Sequence, residues 1–302
     1  MDNKVMRKKK IGVLFGGRSS ERKISLKSGN AVLQSLQRMG YNAVGIDVTS
    51  DLASLLIEKP VDVAFIALHG RWGEDGTVQG MLEVMGVPYT GTGVLGSSMA
   101  MNKIIMKLVL EKHRIPTPRY QVIRTHSDIS MPAPYVVKPP NEGSSVGVSI
   151  VDAEGQSIPA VKKALRYDKS LLVEEYVKGQ EITVAVINGV SLPAVEVRPK
   201  SGFYDIDAKY KKGKTEYLVP APLGSLATKR ATELALKIYD VFQLSGSARI
   251  DMIVHNKTPF VIDINTSPGM TETSLVPKAW NYTGRTFDQL VEEILKGAQL
   301  KV

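Results

Sequence analysis

The sequence predicts an α/β fold that continues into α+β units, and three patterns carry this prediction. Strands and helices alternate at the start of the chain, a glycine-rich loop lies between two strands in the middle, and two consecutive strands lie near the end. Alternating strands and helices favour a parallel sheet with right-handed crossovers, whereas consecutive strands form antiparallel hairpins. Because 302 residues exceed most single cores, we expect two or three domains.

The first part of the chain alternates in the βαβ manner. We predict strands at 11–15, 43–47 and 61–68, with helices at 21–39 and 52–58 between them. The segments GGRSSER and HGRWGEDG follow the first and third strands, at the edge where open parallel sheets bind ligands. This edge, which holds Glu21 and His69, is the expected active edge. Taken alone, Glu21 also fits an acid that complements a helix dipole, and a lone histidine is more often structural.

The rest of the chain mixes hairpins with single helices. The predicted elements are a helix at 99–112, strands at 134–139 and 148–151, a helix at 158–166, strands at 171–177 and 181–187, a strand from Ser191, a helix at 227–242, strands at 249–254 and 260–265, and a helix at 287–295. A polar loop at 199–216 is too long for an ordinary connection, which favours a functional role.

The last pair of strands carries four polar side chains on matching faces. Side chains alternate along a strand, so Arg249 shares a face with Asp251, and Asp263 shares one with Asn265. A loop at 255–259 is short enough to pair the strands as a hairpin. Two carboxylates and an amide suit Mg²⁺ with bound phosphates, and Gly269 adds a turn whose amides can bind an anion. The alternative is an acidic, solvated face of an antiparallel hairpin.

The middle of the chain offers groups for a phosphate and a base. The segment GSSVG at 143–147 lies between strands, where its amides and hydroxyls can fold over phosphates. Lys138 precedes it, and Glu174 opens a strand end that can meet an adenine edge. The alternatives are a plain hairpin turn, a surface lysine and a charged strand end.

Composition excludes several classes of protein. The net charge is +9, but the first ten residues carry +4 of it as a basic tail. The remainder suits a small anionic substrate, and no basic stripe with interleaved aromatic residues indicates nucleic acid. Zero cysteines exclude disulfides and thiolate metal sites and permit a cytosolic location. No apolar run approaches the roughly 20 residues of a membrane span.

Eight segments together resemble a known family. The chain is similar to the ATP-grasp family, and closely to its D-alanine:D-alanine ligases, in the order and spacing of GGRSSERKIS, HGRWGEDGTVQGMLE, MNK, VVKPPNEGSSVGVS, VEEYVKGQE, FYDIDAKY, RIDMIV and DINTSPGMTETSLVP. The resemblance covers nearly the whole chain after the basic tail.

The resemblance implies an ATP-grasp fold with a defined domain order. The expected parts are a tail at 1–10, a Rossmann-like substrate domain at 11–98, an ATP-binding lid domain at 99–184, and a catalytic and metal-binding domain at 185–302. The implied activity is ATP-dependent ligation of two D-alanines through a D-alanyl phosphate, with release of ADP and phosphate, for peptidoglycan precursors. A cytoplasmic homodimer that contacts neither nucleic acid nor membrane is implied as well.

The resemblance also implies the roles of individual residues. The implied catalytic residues are Glu21, Ser144, Tyr210, Arg249 and Gly269. Those implied to bind ATP are Lys103, Lys138, Ser145, Gly147, Glu174, Tyr176, Val177 and Glu181. The D-alanines are implied to contact Glu21, His69, Lys209, Ser274 and Leu275. Two Mg²⁺ or Mn²⁺ ions are implied to bind Asp251, Asp263 and Asn265.

Three positions bear on specificity or depart from the family pattern. In similar D-alanine:D-lactate ligases the position of Tyr210 resembles a histidine, so the tyrosine favours the dipeptide. Asp263 stands where the family usually has glutamate, and its side chain is shorter by roughly 1.3 to 1.5 Å of reach. Asn102 stands where an aspartate is common.

Three rival functions stay open at this point. A ligase that joins D-alanine to D-serine or another pair fits the same motifs. A non-enzymatic nucleotide-binding regulator is disfavoured by Arg249 and Tyr210, for which a binding module has no use. A nucleic-acid-binding protein is motivated only by the net charge and would show steep salt dependence.

Overall fold

The computed structural model describes residues 3–48, 51–200 and 213–301, and within them the chain builds three sheets. The strands are β1 (Lys10–Gly16), β2 (Asn42–Val48), β3 (Val63–Ile66), β4 (Tyr120–Ile123), β5 (Tyr135–Lys138), β6 (Ser149–Val151), β7 (Leu171–Glu175), β8 (Gln180–Ile187), β9 (Val190–Ser191), β10 (Val195–Pro199), β11 (Thr215–Leu218), β12 (Ser247–His255) and β13 (Thr258–Asn265). The helices are α1 (Asn3–Met6), α2 (Arg22–Arg38), α3 (Leu52–Glu58), α4 (Thr77–Val84), α5 (Val94–Met101), α6 (Lys103–Lys112), α7 (Ser157–Ala164), α8 (Ser225–Val241), α9 (Leu275–Tyr282) and α10 (Phe287–Lys296).

The first sheet is parallel, as predicted, with strand order β2-β1-β3. Its central strand β1 is buried along nearly its whole length, which reflects cover on both faces. Helices α2 and α10 lie over one face, and α3 and α4 lie over the other. This arrangement leaves the carboxyl ends of β1 and β3, and the polar segments after them, at one edge.

The other two sheets are antiparallel, which confirms the mixed α/β and α+β prediction. The second sheet has the order β4-β7-β5-β6 and packs on α7. The third has the order β11-β10-β8-β12-β13, with β9 paired to β8. One face of this third sheet packs toward α9, α10 and the parallel sheet, and the opposite face packs on α6 and α8. The third sheet therefore connects the other parts of the molecule.

Strand β8 bears on the expected division into domains. It runs from Gln180 to Ile187 as one strand of the third sheet. A boundary between residues 184 and 185 falls inside this strand, so a boundary before Gln180 matches the sheets better.

Two predicted elements differ from those observed, and several short elements were not predicted. The helix expected at 99–112 is two helices, because Asn102 leaves the helical region with ψ of 103° and caps α6. The hairpin loop is shorter than expected: Asn256 and Lys257 both have positive φ, as a two-residue type I′ turn requires. The short elements β4, α4 and α9 were not predicted, because segments of 4 to 8 residues are too short for an apolar period to be distinctive.

The ends of the polar loop expected at 199–216 come together in the third sheet. Strand β10 ends at Pro199, strand β11 begins at Thr215, and these two residues are paired. The segment 201–212 lies outside the described residues. Within the described ranges, no helix has both the length and the apolar character needed to cross a bilayer.

Candidate active site

Two adjoining cavities lie where the three sheets meet. The first, of about 200 Å³, lies between the active edge of the parallel sheet and the turn after β13. The second, of about 410 Å³, lies between the second and third sheets. Asp263 lines both cavities, so a molecule in one can meet a molecule in the other at this residue.

The carboxyl ends of β1 and β3 bring Glu21 and His69 to the first cavity. His69 is buried, and its Nδ1 lies 2.8 Å from the carbonyl oxygen of Ser267, to which it donates because a carbonyl only accepts. Its Nε2 lies 3.1 Å from the hydroxyl of Ser28. The histidine thus ties the parallel sheet to the turn after β13, which supports a positioning role over direct chemistry.

A second buried acid, Glu74, lies beside this histidine. Its Oε1 is 3.8 Å from His69 Nδ1, and its Oε2 accepts from the Gly70 amide at 3.0 Å. Burial lowers the pKa of His69, but the nearby carboxylate of Glu74, with the charge of Glu21, outweighs burial and leaves that pKa raised. Burial raises the pKa of Glu74. The two side chains line the first cavity together.

The glycine-rich segment 143–147 closes over the first cavity. The hydroxyl of Ser144 donates to Glu21 Oε1, so the two predicted catalytic groups meet. Gly143 permits this approach, because a Cβ there would lie 2.5 Å from Glu21 Oε2. Ser144 and Ser145 both adopt positive φ, which is uncommon for residues other than glycine.

Strands β12 and β13 place the predicted acids opposite each other. Asp251 pairs with Asp263, and Arg249 pairs with Asn265, so all four side chains share one face as predicted. Arg249 forms a two-pronged contact with Asp251, with Nε 2.8 Å from Oδ1 and Nη2 2.7 Å from Oδ2. Asn265 Nδ2 donates to Asp251 Oδ2 at 3.1 Å. The alternative of a fully solvated acidic face is therefore wrong, because Arg249 and Asp251 are largely buried.

The second acid meets a predicted ATP-binding lysine. Lys103 Nζ lies 3.3 Å from Asp263 Oδ1 and donates to the carbonyl oxygen of Glu142 at 3.0 Å. In the described part of the chain, no three acidic, histidine or cysteine side chains gather as a metal site. Asp251, Asp263 and Asn265 nevertheless fit Mg²⁺ or Mn²⁺ in kind, because such ions take one or two carboxylates together with substrate phosphates.

The floor of the second cavity is a carboxylate held between two lysines. Lys138 and Lys107 contact the two oxygens of Glu174, with Lys107 Nζ 2.5 Å from Oε1. Lys138 is 12% exposed and lines the cavity, so its alternative interpretation as a surface lysine is wrong. Glu174 is buried, and its charge is already paired.

The charge state of Glu174 predicts a pH dependence of stability. Burial alone raises its pKa, but the charges of Lys138 and Lys107 outweigh burial and lower that pKa to about 2. In an unfolded chain a glutamate titrates near about 4.3. The folded state thus binds fewer protons at this group than the unfolded state. The ionised carboxylate therefore contributes about 3 kcal/mol at most to the free energy of unfolding. This contribution is complete above about pH 5 and is lost as pH falls toward about 2.

Glu174→Gln is accordingly expected to lower the free energy of unfolding most at neutral pH. Its difference from the wild type should shrink as pH falls below about 4.5. Urea unfolding of both proteins from about pH 7 to about pH 3 measures this. A difference that does not change with pH would contradict the assignment.

Asn102 links helix α6 to Asn141, which precedes the glycine-rich segment 143–147. Its Oδ1 accepts from the amides of Ile104 and Ile105, both at 3.1 Å, and its Nδ2 donates to Asn141 Oδ1 at 2.8 Å. Asn141 in turn donates to Asp168. An aspartate at position 102 can cap the helix but cannot donate to Asn141, which gives this departure from the family pattern a physical role.

Two variants separate the two functions of Asn102. Asn102→Asp should keep the cap and cost up to about 1 kcal/mol, because two acceptor oxygens then face each other. Asn102→Ala should cost more, about 1 to 2 kcal/mol, because the cap is lost too. Urea unfolding measures both, and equal stability of Asn102→Asp and the wild type would contradict the linking role.

The described residues predicted for the site gather around the two cavities. The first is lined by Glu21, His69, Ser144, Arg249, Asp263, Asn265, Gly269, Ser274 and Leu275. The second is lined by Lys103, Lys138, Ser145, Glu174, Tyr176, Val177, Glu181, Asp251 and Asp263. Gly147 ends the glycine-rich segment with positive φ. Lys209 and Tyr210 lie outside the described residues.

Sequence reasoning missed Glu74 and Lys107. Glu74 belongs to the polar segment after β3, where two acids and several glycines crowd together. Lys107 falls one turn after Lys103 and in register with buried Leu110 on α6. A lysine within the apolar stripe of a helix was the available signal for a buried charge.

Comparisons with known proteins identify the family of the chain. The model of the D-ala D-ala ligase C-terminus matches residues 97–296, and that of the D-ala D-ala ligase N-terminus matches 10–56 and 52–92. A D-alanine–D-alanine ligase of Syntrophotalea carbinolica is 47% identical over 304 residues, covering 100% of both chains.

Two solved structures are similar as well. A D-alanine–D-alanine ligase from Bacillus anthracis, complexed with ATP, has a TM-score of 0.84 and 36% identity, covering 95% of this chain and 96% of that one. A D-Ala:D-Ser ligase from Enterococcus faecalis has a TM-score of 0.82 and 27% identity, covering 95% and 98%. With both family models matched and relatives alike over the full length, the chain belongs to the D-alanine–D-alanine ligase family, on the ATP-grasp fold.

Proposed function

We propose that this ATP-dependent ligase joins two D-alanines through a D-alanyl phosphate, with ATP in the second cavity and both amino acids in the first. The observation that carries the proposal is the junction at Asp263, where the larger cavity, lined by Lys103 and Lys138, meets the smaller polar cavity. Two reactants that meet at one wall are held for direct transfer, which is the main advantage an enzyme gives to a bimolecular step.

The nucleotide site follows from charge and shape. Lys103 and Lys138 offer cations to phosphates, and the serines of the glycine-rich segment offer hydroxyls and amides. Tyr176 and Val177, with Glu181, lie further along the cavity, where a base and ribose fit. Because the charge of Glu174 is already held by two lysines, we assign recognition of the adenine edge chiefly to the backbone of 175–177.

The first D-alanine is placed in the small cavity with its ammonium toward Glu21 and its carboxylate toward Asp263 and the phosphates. Asp251, Asp263 and Asn265 would hold Mg²⁺ or Mn²⁺, which supplies charge neutralisation for phosphoryl transfer. The carboxylate oxygen attacks the γ-phosphorus, ADP leaves, and an acyl phosphate is formed. Cover by the segment 143–147 keeps water from this intermediate.

The second D-alanine then attacks the acyl carbon with its free amine. Its carboxylate is assigned to Ser274 and Leu275, at the start of α9, and to Lys209. Arg249 and the Gly269 amide stabilise the tetrahedral oxyanion, and phosphate leaves as the dipeptide bond forms. The proton lost by the amine passes to the network of Glu21, Ser144 and Tyr210.

Ser144→Ala tests the network. Nucleotide affinity should change little, whereas kcat for dipeptide formation should fall by about 10² because a proton-transfer partner of Glu21 is lost. Steady-state kinetics with separate titrations of ATP and D-alanine measure this. Ser127→Ala, on an exposed turn, is the matched control, and an unchanged kcat in Ser144→Ala would contradict the relay.

Product analysis tests the function itself. Phosphate release with ATP, Mg²⁺ and D-alanine alone, yielding D-alanyl-D-alanine by mass, is the expected result. Turnover only when D-serine or D-lactate is added would overturn the choice of second substrate and favour the activity named for the Enterococcus faecalis neighbour. Absence of turnover with every pair would overturn the proposal.

Wider roles belong to the same proposal. A dipeptide of D-alanine is a building unit for peptidoglycan precursors, which are assembled in the cytoplasm, and we place the enzyme there. We also propose a homodimer, as is typical of the family, whose mass in solution by light scattering tests it.

A further inference from the structure

Lys107 is a fully buried lysine that lines neither cavity. Its Nζ lies 2.6 Å from Thr117 Oγ1, 3.3 Å from the carbonyl oxygen of Pro118 and 2.5 Å from Glu174 Oε1. The Thr117 hydroxyl donates its own proton to the carbonyl oxygen of Val261, so it accepts from Lys107. Two hydrogen-bond acceptors and the Glu174 carboxylate therefore surround Nζ. Burial lowers the pKa of Lys107, and the charge of Glu174 opposes that fall.

Glu174 is shared between this lysine and Lys138 in an unequal way. Oε1 faces Lys107 below the cavity, and Oε2 faces Lys138, which reaches the cavity. Lys138 therefore has two competing acceptors, the buried carboxylate and a phosphate in the cavity. Glu174 is only 2% exposed, so water is a poor substitute for a lysine that leaves it.

We propose that Lys107 is a positioning residue that keeps Glu174 neutralised when Lys138 turns from this carboxylate to a nucleotide phosphate. The proposal rests on the proposed function, because it requires a nucleotide in the second cavity. Removing one partner of a buried ion pair is strongly unfavourable, since it leaves a buried charge uncompensated. With Lys107 in place, one cation always remains on Glu174.

Loss of Lys107 is therefore expected to weaken nucleotide binding rather than the chemical step. In Lys107→Met, Lys138 is the cation that still contacts the buried carboxylate among the described residues, and a phosphate must compete with Glu174 for it. We expect the Kd of ADP and the KM of ATP to rise by about 10- to 100-fold. This loss of affinity corresponds to part of the free-energy cost of breaking a buried ion pair. The kcat should change by less than about threefold, because saturating ATP restores the Lys138 contact.

The double variant Lys107→Met/Glu174→Gln provides the decisive comparison. It removes the buried charge together with its counter-ion, so Lys138 is free for the phosphate and ADP affinity should return to within about threefold of the wild type. Lys112→Met, an exposed lysine on the same helix, controls for loss of one positive charge. Calorimetric titration with ADP and Mg²⁺ measures all four proteins.

The outcomes separate this inference from the function on which it rests. A wild type that does not bind ADP defeats the proposed function and the inference together. A wild type that binds, with Lys107→Met equally tight, overturns the inference alone. A double variant as weak as Lys107→Met also overturns it, because the lysine then acts through packing. If Lys107→Met does not fold, the double variant tests the proposal by itself. The proposal requires the double variant to bind ADP about as tightly as the wild type, and weak ADP binding overturns it.

Discussion

Arg249→Met is expected to lower the kcat of dipeptide formation by about 10² to 10³, because removal of one oxyanion donor typically costs about 3 to 4 kcal/mol of transition-state stabilisation. The guanidinium is held in place by its two contacts with Asp251, and it lines the cavity assigned to D-alanine. A donor fixed before the reaction stabilises the developing charge without reorganisation.

The defect should lie in the step that follows formation of the acyl phosphate, and the ratio of phosphate to dipeptide reports on that step. Phosphate release should exceed dipeptide formation in Arg249→Met, because an acyl phosphate that is not captured by the amine is hydrolysed. Parallel assays of phosphate and of dipeptide measure the ratio. Arg230→Met, an exposed arginine on α8, is the control for charge, and a dipeptide rate equal to the wild type would refute the oxyanion role.

The active-site hairpin shows what could be predicted from the sequence. Strand periodicity of two determines which residues share a face, and a short loop determines that the strands pair antiparallel. These local rules brought Arg249, Asp251, Asp263 and Asn265 together without any knowledge of the rest of the fold. The parallel sheet was predicted for the same reason, since alternation of strand and helix is a local pattern.

The parts that could not be predicted depend on contacts between distant segments. Lys107 is a lysine on the buried face of the amphipathic helix α6, and only the approach of Glu174 from β7 explains its burial. The contact of Ser144 with Glu21 joins residues 123 positions apart. The role of the Asn102 side-chain amide could not be predicted either, because it depends on a hydrogen bond to Asn141 from a different segment.

Asp263 illustrates a departure whose consequence depends on its surroundings. Its shorter side chain, compared with the glutamate usual in the family, remains within 3.3 Å of Lys103 Nζ and directly opposite Asp251. Lengthening it restores the usual reach, so Asp263→Glu should retain turnover within about tenfold. The variant therefore separates the presence of a carboxylate from its length.

Asp251→Asn is expected to reduce ATP-dependent turnover by about 10³ or more. The substitution replaces a carboxylate by a neutral amide of the same shape, which removes one of two acidic donors for a divalent cation. A loss of several kcal/mol of charge stabilisation corresponds to a rate reduction of about 10³. It also removes the charge that orients Arg249, whose two contacts with Asp251 are 2.8 and 2.7 Å long. Loss of the carboxylate and loss of the Arg249 orientation should both slow ATP-dependent ligation.

The Mg²⁺ dependence of nucleotide binding separates the metal from the arginine in this prediction. Fluorescence titration of ADP over a range of Mg²⁺ concentrations should show strong Mg²⁺ coupling in the wild type and weak coupling in Asp251→Asn, while Arg249→Met keeps the coupling. Asp240→Asn, on the exposed side of α8, makes the same chemical change away from both cavities and should match the wild type. Full Mg²⁺ coupling in Asp251→Asn would remove this residue from the metal-binding set and leave Asp263 and Asn265 with the nucleotide phosphates as the donors.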